Sequence, residues 1–293
     1  MLEIFTTYPA VFVVSVALLG LIVGSFLNVV IHRLPIMLER EWRRDCQQFL
    51  GQDTETSVQT ETESPWNLIW PGSHCPHCAK PLAVQENIPV LSYLWLRGRC
   101  SACGAAISPR YPAVELLSAL LSAVVAHRFG PEVQVLPALA LTWCLLALSF
   151  IDAEHQLLPD VITLPMLWLG LLLSVFRVFT DSTSAILGAV AGYLSLWLVY
   201  QLFKWLTGRE GMGHGDFKLL ALLGAWLGWA HLPQIILLSS LVGAVAGLTL
   251  IALTRRDHRQ PIPYGPYLAS AGWIALIWGD WINATYLGYV APG

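Results

Sequence analysis

The sequence predicts an all-α polytopic membrane protein of about eight transmembrane helices, with a small zinc-stapled cytoplasmic domain between the first two. Three observations predict it. The 293 residues are 56% hydrophobic and only 12% charged, whereas a soluble domain carries about 25% charged residues. Apolar runs near 20 residues recur, each long enough to cross a ~30 Å hydrocarbon core as a helix. One long polar interval interrupts them, and it holds two Cys-x-x-Cys pairs.

The expected spans are about 10–31, 112–129, 133–151, 161–179, 184–206, 217–231, 234–253 and 264–283. The first could be mistaken for a secretory signal, but Met1, Leu2 and Glu3 provide no basic lead, and His32 and Arg33 follow the run. A retained first helix fits better. With the N-terminus outside, every Lys and Arg of the chain except Arg128 and Arg177 falls in an inner loop. Loops rich in Lys and Arg stay in the cytoplasm, so both Asp152 and Asp216 are expected at the cytoplasmic face. Glycine pairs at four-residue spacing, Gly20/Gly24, Gly188/Gly192, Gly224/Gly228 and Gly243/Gly247, predict close helix packing.

These runs divide the chain into a first helix (1–33), a polar domain (34–110) and a membrane domain (111–293). Within the polar domain, Glu39 to Arg44 reads as a short helix on the membrane surface. The acidic stretch 53–64 lacks apolar periodicity and reads as a solvated loop. From Pro65 onward a module begins that is too small for a core of its own and needs a staple. Cys75, Cys78, Cys100 and Cys103 provide one: four thiolates in two knuckles suit a tetrahedral site, most simply structural zinc. Disulfides are disfavoured in the cytoplasm. Cys46 and Cys144 have no partner at motif spacing, and read as packing or surface residues.

Two carboxylates stand out in the membrane domain. Asp160 precedes an apolar run and reads as a helix N-cap. Asp152 has no such excuse, because it follows the apolar run 143–151 at a helix C-terminus, where the macrodipole disfavours an anion. Asp216 closes Gly211-Met212-Gly213-His214-Gly215, whose glycines allow a sharp turn and close approach of an extended peptide. On one membrane face the two could share a proton, one acting as base on a water and the other as acid toward a carbonyl. No Gly-x-Ser-x-Gly elbow or His-Glu-x-x-His helix supports other hydrolytic chemistry.

Together these residues resemble the bifunctional prepilin peptidases, the Gly-x-Gly-Asp type of membrane aspartic protease. The resemblance rests on Gly24-Ser25-Phe26-Leu27-Asn28-Val29-Val30-Ile31-His32-Arg33-Leu34-Pro35, on the cysteine knuckles and on Ile107-Ser108-Pro109-Arg110-Tyr111-Pro112-Ala113-Val114-Glu115. It continues through Asp152 to Asp160, and through Gly211 to Lys218. It implies an enzyme of the bacterial inner membrane, N-terminus periplasmic, with Asp152 and Asp216 as the catalytic pair. Such an enzyme removes the basic leader of prepilins and pseudopilins, then methylates the new N-terminal amine with S-adenosylmethionine. The resemblance associates the cysteine domain with methyl transfer and ties Gly98 and Arg99 to that step, although no Rossmann-like Gly-rich turn marks a cofactor pocket.

Glu115 reads first as a carboxylate favoured in the first turn of a helix, and second as a recognition site for the basic leader. Membrane lipids surround the protein, a homo-oligomer is left open, and no nucleic-acid partner is expected. Two rival readings are a proton-coupled transporter that uses the aspartates, and a membrane scaffold that uses the knuckles.

Overall fold

Residues 2–50, 66–209, 211–254 and 263–290 are described by a computed structural model of the protein. Among them the regular structure is helical: α1 Leu2–Thr7, α2 Pro9–Phe49, α3 Leu91–Trp95, α4 Arg110–Phe129, α5 Val135–His155, α6 Asp160–Val175, α7 Ser182–Thr207, α8 His214–Leu227, α9 Leu232–Thr254 and α10 Gly265–Val290. Helices α2 and α4 to α10 take up the eight apolar segments in order. Among the described residues, five segments are long and apolar enough to cross a membrane: α2, α4, α5, α7 and 229–249. The apolar helix α6 has 16 residues and α8 has 14, short of the ~20 a full crossing takes. The acidic stretch 53–64 lies outside the described residues, as do Arg255, Arg256 and Arg259.

The chain forms two compact units, residues 1–127 and 128–293. In the first, α2 runs 41 residues without a break, passing through Pro35. At ~1.5 Å per residue that is about 60 Å, twice a hydrocarbon core. The stretch 39–44, expected as a separate surface helix, is therefore the continuation of α2. Its Arg43–Glu39 pair at 2.9 Å is one i,i+4 contact supporting that exposed tail. The expected small-residue seam forms between α2 and α4. A Cβ on Gly24 would meet the Glu115 backbone at 2.8 Å, and one on Gly20 would meet Ser122 at 2.6 Å. Ser118 Oγ donates to Gly20 O at 2.7 Å across the same seam.

In the second unit, α8 is the central element. Every residue from Leu219 to Leu227 is buried, together with Asp216 and Phe217. A helix apolar all round is stable only when wrapped by others. Gly188 of α7 and Gly224 of α8 lie backbone to backbone, and a Cβ on Gly192 would strike Leu220 O at 2.7 Å. On the α6 side, the buried Trp226 donates its indole N–H to Met166 O at 2.7 Å. Helix α10 packs along α5, where Trp273 Nε1 donates to Thr142 Oγ1 at 3.1 Å. Because α8 is enclosed by protein, it need not span lipid by itself.

Candidate active site and metal centre

The last turn of α5, the first turn of α8 and the start of α10 converge in the second unit, and each brings a polar group. Asp152 and Asp216 are each only 6% exposed, and their carboxyls lie within reach of each other's charge. The expected C-terminal bias against Asp152 is answered by a partner: Gly265 N–H, the first of α10, donates to its Oδ2 at 2.9 Å. A helix N-terminus carries a partial positive charge and free N–H donors, so α10 offsets what α5 opposes. The Asp216 carboxyl accepts the Gly213 N–H, which places it over the start of its own helix.

The neighbouring loops are fixed by specific contacts. Gln156, in the left-handed region at φ 54°, ends α5, and its N–H bonds Asp152 O. A Cβ on Gly215 would meet Leu158 Cβ at 2.8 Å, so this glycine lets α8 approach the α5–α6 loop closely. Gly213 and His214 remain exposed beside the buried Asp216. The His214, Tyr200 and Phe217 rings pack together with centroids 5.1 to 5.6 Å apart, holding the first turn of α8 against α7.

Asp160 does not act as the N-cap expected from the sequence. Pro159 occupies that position, and Asp160 is already inside the first turn. Its carboxylate instead takes Lys218 Nζ at 2.7 Å on both oxygens, linking the start of α6 to the start of α8.

In the first unit, Cys75, Cys78, Cys100 and Cys103 bring their sulfurs within 4.8 Å of one another, with Cys75–Cys103 at 3.8 Å and Cys78–Cys100 at 4.0 Å. A tetrahedral ion with metal–sulfur bonds of ~2.3 Å needs sulfurs about 3.8 Å apart. The four cysteines could therefore hold a metal. The two knuckles repeat each other bond for bond. Cys75 N donates to Lys80 O, Ala79 N to Cys75 O and Leu82 N to Ser73 O; Cys100 N to Ala105 O, Gly104 N to Cys100 O and Ile107 N to Gly98 O follow the same pattern. Both turns pass through the left-handed region at the same place, Ala79 at φ 55° and Gly104 at φ 70°.

This backbone aims N–H groups at sulfur. The N–H groups of Cys103 and Ala102 lower the Cys100 thiol to about 6, and those of Cys78 and His77 lower Cys75. At Cys103 the Ala105 N–H pulls the same way, but desolvation and bonds among the sulfurs hold that thiol up at about 11. Knuckles that favour thiolates suit a cation, since the thiolate is the ligand form. Glu86 ties the knuckles together. It takes Lys80 Nζ at 2.9 Å and Ala83 N at 3.1 Å, and pairs closely with Ser101 Oγ. The Ser101, Lys80 and Ala83 bonds lower its carboxyl to about 2.

Gly98, at φ 67°, is buried just before the second knuckle, and a Cβ there would press on the Tyr93 ring at 3.0 Å. Arg99 is exposed and bridges Ala106. Glu115 is 8% exposed, and its carboxyl accepts Val90 N–H at 2.7 Å and the Ser25 side chain. Both partners lie in its own unit, so the carboxyl is engaged by protein.

Residues 18–129 match the family described as the bacterial peptidase A24 N-terminal domain, and residues 139–248 match the type IV leader peptidase family. A prepilin leader peptidase/N-methyltransferase of Pseudomonas aeruginosa is 55% identical over 99% of this chain and 98% of its own. The chain belongs to the type IV leader peptidase family. Relatives of the same name are 56% identical in Aeromonas hydrophila, over 98% of both chains, and 49% identical in Dickeya chrysanthemi, over 92% of this chain and 94% of that one. No solved structure matches the chain. In this member of the family, sequence reasoning missed Gly265. The signal was available: Pro263-Tyr264-Gly265-Pro266 breaks the chain just before an apolar run. Tyr264 anchors that turn through its hydroxyl, 2.6 Å from Ser239 Oγ.

Proposed function

We propose that this inner-membrane protein removes the leader of prepilins and pseudopilins and then methylates the exposed N-terminal amine with S-adenosylmethionine. The observation that carries the first activity is the convergence of Asp152 and Asp216, both buried, at one end of the second unit. Two close carboxyls cannot easily both ionise, so the pair holds one proton. The ionised member draws a proton from a water, whose oxygen attacks the scissile carbonyl carbon. The protonated member gives its proton to the carbonyl oxygen. Collapse of the tetrahedral diol then expels the new amine, which takes up a proton. Gly265 N–H holds Asp152 in place throughout. Exposed Gly213 and His214 leave backbone beside Asp216 for an extended substrate.

We assign residues 34–110 to methyl transfer and 111–293 to proteolysis. Cys75, Cys78, Cys100 and Cys103 hold a structural Zn2+, which cross-links the two knuckles where apolar core is scarce. S-adenosylmethionine supplies an electrophilic methyl group. Gly98 shapes the turn ahead of Cys100, and Arg99 stands exposed beside it. Glu115 acts as an internal clamp, and recognition of the basic leader is not needed to explain it. The distribution of Lys and Arg supports a periplasmic N-terminus and aspartates that face the cytoplasm.

The transporter reading is weaker because its sites belong near mid-membrane at interrupted helices, and these aspartates sit at helix ends. To test the reading, purified protein in lipid is given a prepilin and methyl-labelled S-adenosylmethionine. Shortened pilin with label on its N-terminus is expected. Intact prepilin would overturn the proteolytic half, and unlabelled mature pilin the methylating half.

A further inference from the structure

Arg33 is only 9% exposed, yet among the described residues no carboxylate pairs with it. Its guanidinium donates to backbone oxygens instead, Asn67 O at 2.9 Å and Gly72 O at 3.5 Å, and lies 5.9 Å from the centre of the Trp66 ring. A guanidinium has five N–H donors, so bonding capacity remains. A buried cation without a counter-charge is costly. Arg33 also lines a cavity of about 350 Å³ in the first unit, within the range of small-ligand sites. Among the described residues, no Asp, Glu or second cation lines it. The apolar part of the wall has a direction. Ile22, Phe26, Val29 and Arg33 follow one another at steps of four, three and four residues, which puts them on one face of α2. At ~1.5 Å per residue that stripe is about 16 Å long, half of a ~30 Å hydrocarbon core. Ile22 is 64% and Phe26 50% exposed, and both belong to the apolar run 11–30. The groove therefore opens onto hydrocarbon and ends at a buried cation just beyond that run.

This arrangement selects an amphiphile with one negative charge. A lipid phosphodiester carries one charge and accepts paired bonds from a guanidinium, and Ser73 and Asn87 add neutral polar groups to the same wall. A free phosphate would leave the apolar stripe unused. The ammonium of a zwitterionic headgroup would find no acid on the wall. Ser25, which bonds the Glu115 carboxyl, is eight residues or about 12 Å along α2 from Arg33, so that acid does not serve either cation. Basic pockets at the cytoplasmic ends of membrane helices bind anionic headgroups by the same chemistry. We propose that this groove is a binding site for an anionic phospholipid, with the phosphodiester on Arg33 and an acyl chain along Val29, Phe26 and Ile22. The bound lipid neutralises Arg33 and seats the 66–73 segment against α2. The proposal rests on α2 crossing the membrane and on neither of the activities proposed above.

To test the site, the full chain is stripped of lipid in nonionic detergent and titrated with radiolabelled phosphatidylglycerol or phosphatidylethanolamine. Lipid retained per chain is counted after gel filtration, with circular dichroism as the control for folding. Phosphatidylglycerol should bind saturably and more tightly than phosphatidylethanolamine. Loss of a charge-assisted bond should make Arg33→Gln bind it roughly 10- to 150-fold more weakly. Ile69 is 78% exposed and lines the cavity, so changes there leave the packed core alone and decide the matter if Arg33→Gln misfolds. Ile69→Glu should supply the missing counter-charge and exclude the lipid, whereas Ile69→Lys should retain it. Equal retention of the two lipids by the parent would overturn the proposal. So would phosphatidylglycerol affinity within about twofold of the parent in Ile69→Glu, or in a folded Arg33→Gln protein. Displacement of the label by inorganic phosphate would assign the charged end to a free anion, and displacement by a prepilin would make the groove a peptide site; either result contradicts a lipid site.

Discussion

Replacing Gly265 by Ala probes the support of Asp152 while leaving both acidic residues in place. A Cβ at 265 would lie 2.6 Å from Asp152 Oδ2, 3.0 Å from Cγ and 3.2 Å from Cβ. Real Cβ atoms essentially never sit closer than 3.0 Å and ordinary contact begins near 3.4 Å, so the carboxyl must retreat by 0.4 to 0.8 Å, given 3.0 − 2.6 = 0.4 and 3.4 − 2.6 = 0.8. The 2.9 Å bond from Gly265 N–H cannot survive that shift intact. A misplacement of ~1 Å at a catalytic group costs on the order of 100-fold in rate, or about 2.7 kcal/mol at 1.36 kcal/mol per decade. Single-turnover cleavage of a prepilin in lipid should therefore slow about 100-fold, with KM little changed. Methylation of pre-cleaved pilin should proceed at the parent rate. Cleavage within threefold of the parent, in a protein that still methylates, would refute the idea that α10 positions Asp152.

Other consequences follow from the same contacts. Ala79→Gly, at φ 55°, should stabilise the first knuckle by ~1 kcal/mol, because a side chain in the left-handed region is strained; slower metal loss to a chelator would report it, and faster loss would contradict it. Serine at any one of Cys75, Cys78, Cys100 or Cys103 should lower bound metal from about one ion per chain, by elemental analysis, and abolish methylation while cleavage persists. Lys218→Met removes a half-exposed pair with Asp160, which should cost at most ~1 kcal/mol and shift Tm only slightly; a collapse in Tm would show that the pair holds α6 to α8. Glu115→Ala leaves the Val90 N–H without its acceptor and should destabilise by about 1–3 kcal/mol, whereas Glu115→Gln keeps an acceptor and should leave cleavage of every prepilin unchanged. Reduced cleavage of the more basic leaders by Glu115→Gln would restore a recognition role.

The helical membrane architecture was legible because its signal is local: apolar length and glycine spacing survive in one dimension. The Gly188/Gly192 and Gly224 stripes meet as small residues should, and the two knuckles close on one another as their spacing requires. Where one helix ends was less legible. The tail of α2 looked like a separate surface helix because polarity changes near residue 33, but hydrogen bonding along the helix does not depend on that change. Asp160 looked like a cap because capping preference is a local statistic, and its true partner, Lys218, lies 58 residues away. Gly265 could not be paired with Asp152 from sequence, since backbone N–H groups carry no residue-type label and the two are 113 positions apart. The same holds for Arg33, whose burial depends on Asn67, Gly72 and Trp66 folding over it.

The proteolytic mechanism stands or falls on cooperation between the two acids, and cleavage rates of Asp152→Asn, Asp216→Asn and the double variant measure that cooperation directly. Groups that act as one unit are strongly non-additive. Each single change should reduce cleavage to near background, with the double variant no worse than either. A single variant that still processes prepilin, or losses that simply multiply in the double variant, would mean that the carboxyls do not share one proton in the reaction.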